Sequence, residues 1–249
     1  FKKLPMIVPN TNIINKFNYT KLDRTTVDGK RLYLTPDSNK LASVTTILDA
    51  TKSEESKRAL FEWKKRMGAE KAQEITTAAA QRGTRMHSFL EDYVKTDSLK
   101  SKPSNPYAWA SHAMAEVVIN NGLKNVNEYW GIEASLYFPK VYAGTTDCVG
   151  VHNGDESIID FKQTNREKKR EWIDDYFLQL CAYAAAHNEL HGTNIKKGVI
   201  MMCVQPKVDA NMNIIENPQY QEFILEGSEF DHCTNLWWQR CEDYYVKHA

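Results

Sequence analysis

Gly144-Thr-Thr-Asp147-Cys-Val-Gly-Val-His-Asn-Gly-Asp-Glu-Ser-Ile-Ile-Asp160-Phe-Lys162 is the stretch on which the fold turns. Val141 to His152 and Glu156 to Lys162 read as strands, and Asn153-Gly154-Asp155 between them is a turn signal. Glu128 to Phe138 reads as a third strand just ahead, set off by Pro139-Lys140. Three short strands in succession imply an antiparallel meander. Asp147 falls near the middle of its strand and Asp160 near the end of the next, so a hairpin can bring them side by side at one end of the sheet.

Helices are expected on both sides of this centre. Ser43-Val-Thr45-Thr46-Ile-Leu has hydroxyls suited to capping a helix start, and helix-like sequence runs on to about Val94, with Leu60, Phe61, Trp63 and Met67 at helical spacing. Pro103 to Pro106 reads as a loop, and residues 107–121 as a helix stopping near Asn120-Asn-Gly122. A long helix from about Glu171 to Leu190 should carry Trp172, Phe177, Leu180 and Ala184 to the core. Val199 to Val204 and Tyr220 to Leu225 are further strand candidates, and Asp231 to Val246 a closing helix. Ahead of everything, residues 15–34 read as a hairpin, with Phe17, Tyr19 and Leu22 on one arm, Arg31 to Leu34 on the other and Asp28-Gly29 as the turn. There is no internal repeat and no low-complexity segment.

The 249 residues, 42% hydrophobic and 26% charged with 32 basic against 32 acidic side chains, are those of an ordinary globular chain. The reading is a single domain over 1–249, with a hairpin and helical region over 1–125 and the sheet-bearing core over 126–249. No apolar run approaches the about 18 residues that span a bilayer, and Phe1-Lys-Lys-Leu-Pro5 lacks the apolar stretch of a secretory leader, so an intracellular protein with no membrane partner is expected. Five cysteines without a C-x-x-C pair speak against a disulfide framework and a zinc ribbon. Zero net charge argues against gripping long duplex through many phosphates, while leaving room for a small basic channel.

Two carboxylates converging at a strand end make an oxygen-ligand site for Mg²⁺ or Mn²⁺, and Lys162, two positions after Asp160, points to the same face. That set suits phosphodiester hydrolysis, with the cation polarising the phosphate and the ammonium positioning water and offsetting charge on the phosphoryl oxygens. The bare acid-x-Lys triplet also occurs at Asp28, Glu55, Glu62 and Glu167, and a strand-end salt bridge would use the same residues. Two further pairs add weight. In Arg82-Gly83-Thr-Arg-Met-His87-Ser-Phe-Leu-Glu91, an imidazole and a carboxylate share a helical face. Gln179 and Tyr183 are again four apart, next to the basic run Arg166-Glu-Lys168-Lys169-Arg170. Taken singly, His87 also reads as a structural histidine, Tyr183 as a core residue and Gln179 as a solvated one.

In this order, Gly83-x3-His87-x3-Glu91, Gly144-Thr-Thr-Asp147, Asp160-Phe-Lys162 and Gln179-x3-Tyr183 resemble the RecB-type branch of the PD-(D/E)XK nuclease superfamily. Within it, the nearest likeness is to the mitochondrial genome maintenance exonuclease family with its phage and bacterial relatives, over roughly residues 40–190. Ser43 to Leu48 and Trp63-Lys-Lys-Arg-Met67 look like that family's N-terminal helical segment.

The resemblance implies an α/β, restriction-endonuclease-like core, with a mixed sheet flanked by helices and an N-terminal helical arch. It implies His87, Asp147, Asp160 and the Phe161 carbonyl as metal ligands and Lys162 as the catalytic lysine. Gln179 and Tyr183 would face the DNA, Ser43 and Thr45 would touch single strands, and Glu91 and Glu133 would border the metal. Arg166 and Lys168 would steer the backbone. One departure stands out: relatives usually carry Thr or Ser directly after the lysine, where this chain has Gln163 before Thr164. No Cys precedes Cys148, so the iron–sulfur cluster of some relatives is not expected. Without a G-x-x-x-x-G-K-[ST] motif, ATP is not expected as a cofactor either.

The function read from all this is a metal-dependent exonuclease acting on single-stranded DNA ends, monomeric, alongside replication or recombination proteins. Its setting would be the cytoplasm of a bacterium or phage-infected cell, or the mitochondrial matrix if a targeting segment has been removed. The alternatives are a catalytically weak DNA-end-binding module and a sequence- or structure-specific endonuclease of the same fold.

Overall fold

The computed structural model describes residues 10–248; the opening stretch from Phe1, read above for a leader, lies outside them. A small antiparallel sheet comes first: β1 (Asp23–Val27), β2 (Lys30–Leu34) and β3 (Lys40–Ala42). Asp28 and Gly29 link β1 to β2 with φ of 50° and 75°, the paired left-handed backbone of a tight hairpin turn. The hairpin is therefore where the sequence placed it, but its first arm begins later. Phe17 and Tyr19 lie ahead of β1 and pack with Trp130, His187 and His191.

Helices α1 (Val44–Ala50), α2 (Glu54–Met67), α3 (Ala69–Thr96) and α4 (Trp109–Asn121) follow. The second half is β4 (Val126–Phe138), β5 (Tyr142–His152), β6 (Asp155–Thr164), α5 (Asp174–His191), β7 (Gly198–Val204), β8 (Lys207–Val208), β9 (Ile214–Glu216), β10 (Gln219–Leu225) and α6 (Gly227–His248). The main sheet has five strands in the order β10-β7-β6-β5-β4. All its neighbours are antiparallel except β6 and β7, which are parallel and joined through α5.

Strand periodicity sorts this sheet into two apolar faces. Cys148, Ile159, Phe161, Val199 and Met201 pack under Met86 and Leu90 of α3 and Met114 and Val118 of α4. Val149, Ile158, Ile200 and Met202 face Ile47 of α1, Leu180 of α5 and Trp237 of α6. Each fully buried isoleucine or leucine is worth about 1.5–3 kcal/mol. By the same alternation, Asp160 and Lys162 share the face of Ile158, toward α5.

Two groups of apolar residues do not go where their spacing pointed. Helix α2 buries none of its residues: Phe61 is 63% exposed, and Leu60 is exposed as well. It turns into α3 at Gly68, whose φ of 81° suits glycine. Trp172 lies just before α5 and is 61% exposed, not in the core. Among the described residues, no helix is long and apolar enough to cross a membrane.

The N-terminal segment is tied down through His187, which is fully buried. Thr193 donates to Asn188 at 2.8 Å, so its oxygen accepts from His187 Nδ1 at 2.7 Å, and His187 Nε2 accepts from the Tyr19 hydroxyl at 2.7 Å. Burial, with His191 adding to it, pushes the His187 pKa down from 6.5 to about 3. A neutral imidazole is thus required by the fold, and its contribution is complete above pH 6.5 and lost as pH falls from there toward 3. The urea midpoint should fall between pH 7.5 and 5.5, and less steeply in His187→Gln; equal slopes would show that this histidine is not the cause.

Candidate active site

Strands β5 and β6 stay paired as far as Cys148 opposite Ile159, and the next residues along are Asp147 and Asp160. At that point the Phe161 amide donates 2.8 Å to Asp147 Oδ2 instead of to a strand partner. Asp160 is buried, and Asp147 is half-buried beside it. Burial and the Asp160 charge raise the Asp147 pKa well above the usual carboxylate range. For Asp160 burial is the largest influence and also acts upward, but the Lys162 ammonium, the neighbouring Asp147 carboxyl and His87 together outweigh it and hold the pKa below the ordinary value. The two carboxyl groups are thus pushed in opposite directions, Asp147 toward the protonated form and Asp160 toward the ionised one.

Lys162 reaches the same place from its own strand. Its Nζ lies 2.8 Å from Asp160 Oδ2, donates 2.9 Å to Gln179 Oε1 and sits 4.6 Å from the centre of the Tyr176 ring. Burial would lower its pKa, and Asp160 and Asp147 reverse that, so it stays charged. Gln179 Nε2 in turn donates 3.2 Å to the Tyr183 hydroxyl. Gln179 and Tyr183 are only 8% and 3% exposed, so the surface expected to face DNA is instead a chain behind Lys162 that fixes its direction. The glycine of Gly144-Thr-Thr-Asp147 makes room for that chain, since a Cβ there would lie 2.7 Å from Tyr183 Cε1.

His87, on α3, approaches from the opposite face of the sheet. Its Nε2 donates 2.7 Å to the Phe161 carbonyl and lies 3.8 Å from Asp147 Oδ2. Burial lowers its pKa, so at neutral pH the ring is uncharged, as a ligand must be. Among the described residues, no three His, Cys, Asp or Glu side chains form a ready-made metal cluster. The expected ligands are nonetheless neighbours, with the His87 nitrogen engaged by the Phe161 carbonyl. Asp160 Oδ2 is buried without a donor in hydrogen-bonding geometry, the ammonium lying close but out of line. An oxygen so placed, beside a second carboxylate and a peptide carbonyl, fits a divalent cation.

The remaining expected residues are scattered. Glu91 is paired with Lys95 at 2.6 Å. It lines, with Glu133, Arg24, Lys95, Tyr33 and Thr145, a cleft of about 670 Å³ between the small sheet, α3 and β4. Glu133 is exposed on β4 with a left-handed φ of 49°, and desolvation, then Glu91 and Asp160, raise its pKa. Ser43 is 2% exposed and caps α1 by accepting from the Thr46 amide at 3.0 Å, so it is a structural residue rather than an open DNA contact; Thr45 is half-buried and bonded to it. Arg166 is exposed, and Lys168 is half-buried with its amide on Gln221. Tyr176 was missed, although it lies on the helical face of Gln179 and Tyr183, where extending the same spacing back one turn would have found it.

No family model matches the chain. It is similar to "Mitochondrial genome maintenance exonuclease 1" of Xenopus tropicalis, 26% identical over 222 residues, covering 83% of this chain and 58% of that protein. The human protein of the same name is 29% identical over 225 residues, with 84% and 59% covered. The chain thus spans about three-fifths of the length of these relatives. Among solved structures, an alkaline exonuclease from Laribacter hongkongensis overlaps 84% of this chain and 92% of its own, at 15% identity and a TM-score of 0.37. Likeness to these exonucleases over more than four-fifths of the chain, a span that takes in His87, both aspartates, Lys162 and α5, supports a PD-(D/E)XK-like nuclease.

Proposed function

We propose that the protein is a divalent-metal-dependent DNA exonuclease that digests single strands from free ends. The observation that carries this is the convergence of Asp147, Asp160 and Lys162 where β5 and β6 part, with the lysine held by Gln179. Asp147, Asp160 and the Phe161 carbonyl, with His87 beside them, would hold Mg²⁺ or Mn²⁺. When bound, such a cation polarises the scissile phosphate and makes water acidic enough to attack it. Lys162 positions that water and offsets charge gathering on the phosphoryl oxygens, and Gln179 and Tyr183 keep the ammonium on target.

The preference for free single-stranded ends is supported by α2. It stands clear of the core, with Lys57, Arg58, Lys64, Lys65 and Arg66 exposed for phosphates and Phe61 exposed for stacking on bases. With α3 it fits an arch that admits a flexible strand and excludes duplex. The work would lie in replication, repair or recombination, with the protein acting as a monomer. The relatives' printed name points to the mitochondrion as the setting.

The test is digestion of end-labelled linear and of circular single-stranded DNA with Mg²⁺, Mn²⁺ or EDTA. Loss of the linear strand alone, and only with metal, is the expected result. Cleavage of circles would make the protein an endonuclease, and binding without cleavage under every condition would make it an end-binding module.

A further inference from the structure

Gln163, the departure from the family pattern, makes contacts that give it a use. It points to the face of the sheet opposite Lys162 and meets α3 so closely that a Cβ on Gly83 would lie 3.2 Å from its Cγ. Its Oε1 accepts from Arg82 Nη1 at 3.2 Å, and the same nitrogen donates 2.9 Å to Asn165 Oδ1. The backbone of Arg82 is fixed as well, because its carbonyl accepts from the Ser111 hydroxyl at 3.0 Å.

A guanidinium held in this way is unusual in its company. Both acceptors are neutral amide oxygens, and no carboxylate pairs with it among the described residues. Burial lowers its pKa, and no neighbouring negative charge offsets that. Only Nη1 is engaged, so Nε and Nη2 keep their donors in a rigid fork that suits the oxygens of a phosphate. The group also stands in a telling place. On α3 it lies about a turn and a half before His87, and His87 bonds the Phe161 carbonyl while Gly83 abuts Gln163, so the helix follows β6 past the site. Two residues of strand advance about 6.6 Å, on the order of one nucleotide step of an extended strand.

Resting on the nuclease reading above, we infer that Arg82, pre-oriented by Gln163 and Asn165, binds a backbone phosphate of the DNA strand next to the scissile one. Gln163 then acts as a positioning residue for this arginine, and its amide supplies an acceptor that a threonine or serine is too short to extend to it.

The test is fluorescence anisotropy with labelled oligothymidylate across a KCl series, in EDTA and in Ca²⁺. Arg82→Gln should weaken binding roughly tenfold, as for a hydrogen bond to a charged partner. It should also reduce the slope of log K against log salt by about 0.7, the contribution of one phosphate on a single strand. Gln163→Ala should weaken binding but keep the slope, because the charge remains. A single methylphosphonate linkage walked along the strand should find one position that weakens the wild-type protein and not Arg82→Gln, a comparison that stands even if Gln163→Ala folds poorly. Unchanged affinity and slope in Arg82→Gln, with cleavage by the wild type intact, would overturn this inference alone. A wild-type protein that neither binds nor cleaves the strand would overturn the nuclease reading and this one together.

Discussion

Lys162→Met is expected to lower the rate of metal-dependent DNA hydrolysis by about 10²–10³-fold, the range for removing one preorganised donor to a transition-state oxyanion. Methionine keeps the length of the stem and can still lie against the Tyr176 ring, which the ammonium approaches to 4.6 Å. What it removes is the charge between Asp160 and Gln179. Lys162→Arg should not rescue the rate, because a planar fork cannot occupy the point that the Gln179 oxygen and the Asp160 carboxylate define together. Asp160→Ala should be inactive too but is a less clean probe: it leaves a buried ammonium with its main partner gone, and breaking such a pair costs about 3–5 kcal/mol of stability. Initial rates on labelled single strands, beside thermal melting of each variant, separate the two effects. A folded Lys162→Met protein with the wild-type rate would remove the lysine from the chemistry.

The sequence made this part of the molecule readable for a specific reason. Asn153-Gly154 forms the two-residue turn of the hairpin, with Asp155 already paired to His152, and period-two alternation then puts Asp147, Asp160 and Lys162 onto one face. Spacing of four on α5 likewise put Gln179 and Tyr183 together. Spacing gives direction and not depth, however, so it could not tell a surface that faces DNA from a chain buried behind Lys162. Helix α2 illustrates the same limit. Leu60, Phe61, Trp63 and Met67 recur at helical intervals, yet periodicity carries no information on whether another element covers the stripe. Ser43 shows two readings of one residue in competition: a hydroxyl just before an apolar run is a helix cap, and that local role is the one the fold uses.

Gly150→Ala is expected to be among the most damaging single-methyl additions in the chain, at about 3 kcal/mol or more. A Cβ at this position would lie 2.0 Å from the Glu128 carbonyl oxygen, and backbone cannot swing aside as a flexible side chain can. The place is one where β4 is irregular, with register shifts between Val126 and Glu128 and between Tyr129 and Gly131, so the two strands approach unevenly. A glycine inside an otherwise apolar strand is the sequence sign of such an approach, and Val149-Gly150-Val151 carried it. Gly154→Ala is the natural comparison: its φ of 86° strains any side chain, but nothing lies within 4 Å, so its cost should stay near 1 kcal/mol. Urea unfolding of both variants measures the difference, and equal midpoints would refute the close approach. Because β5 runs directly from Asp147 to Gly150, a backbone displaced at Gly150 also moves the strand end that holds Asp147 against Asp160. Hydrolysis by Gly150→Ala should therefore fall even at temperatures where the protein remains folded, while Gly154→Ala, on the turn beyond His152, keeps its rate.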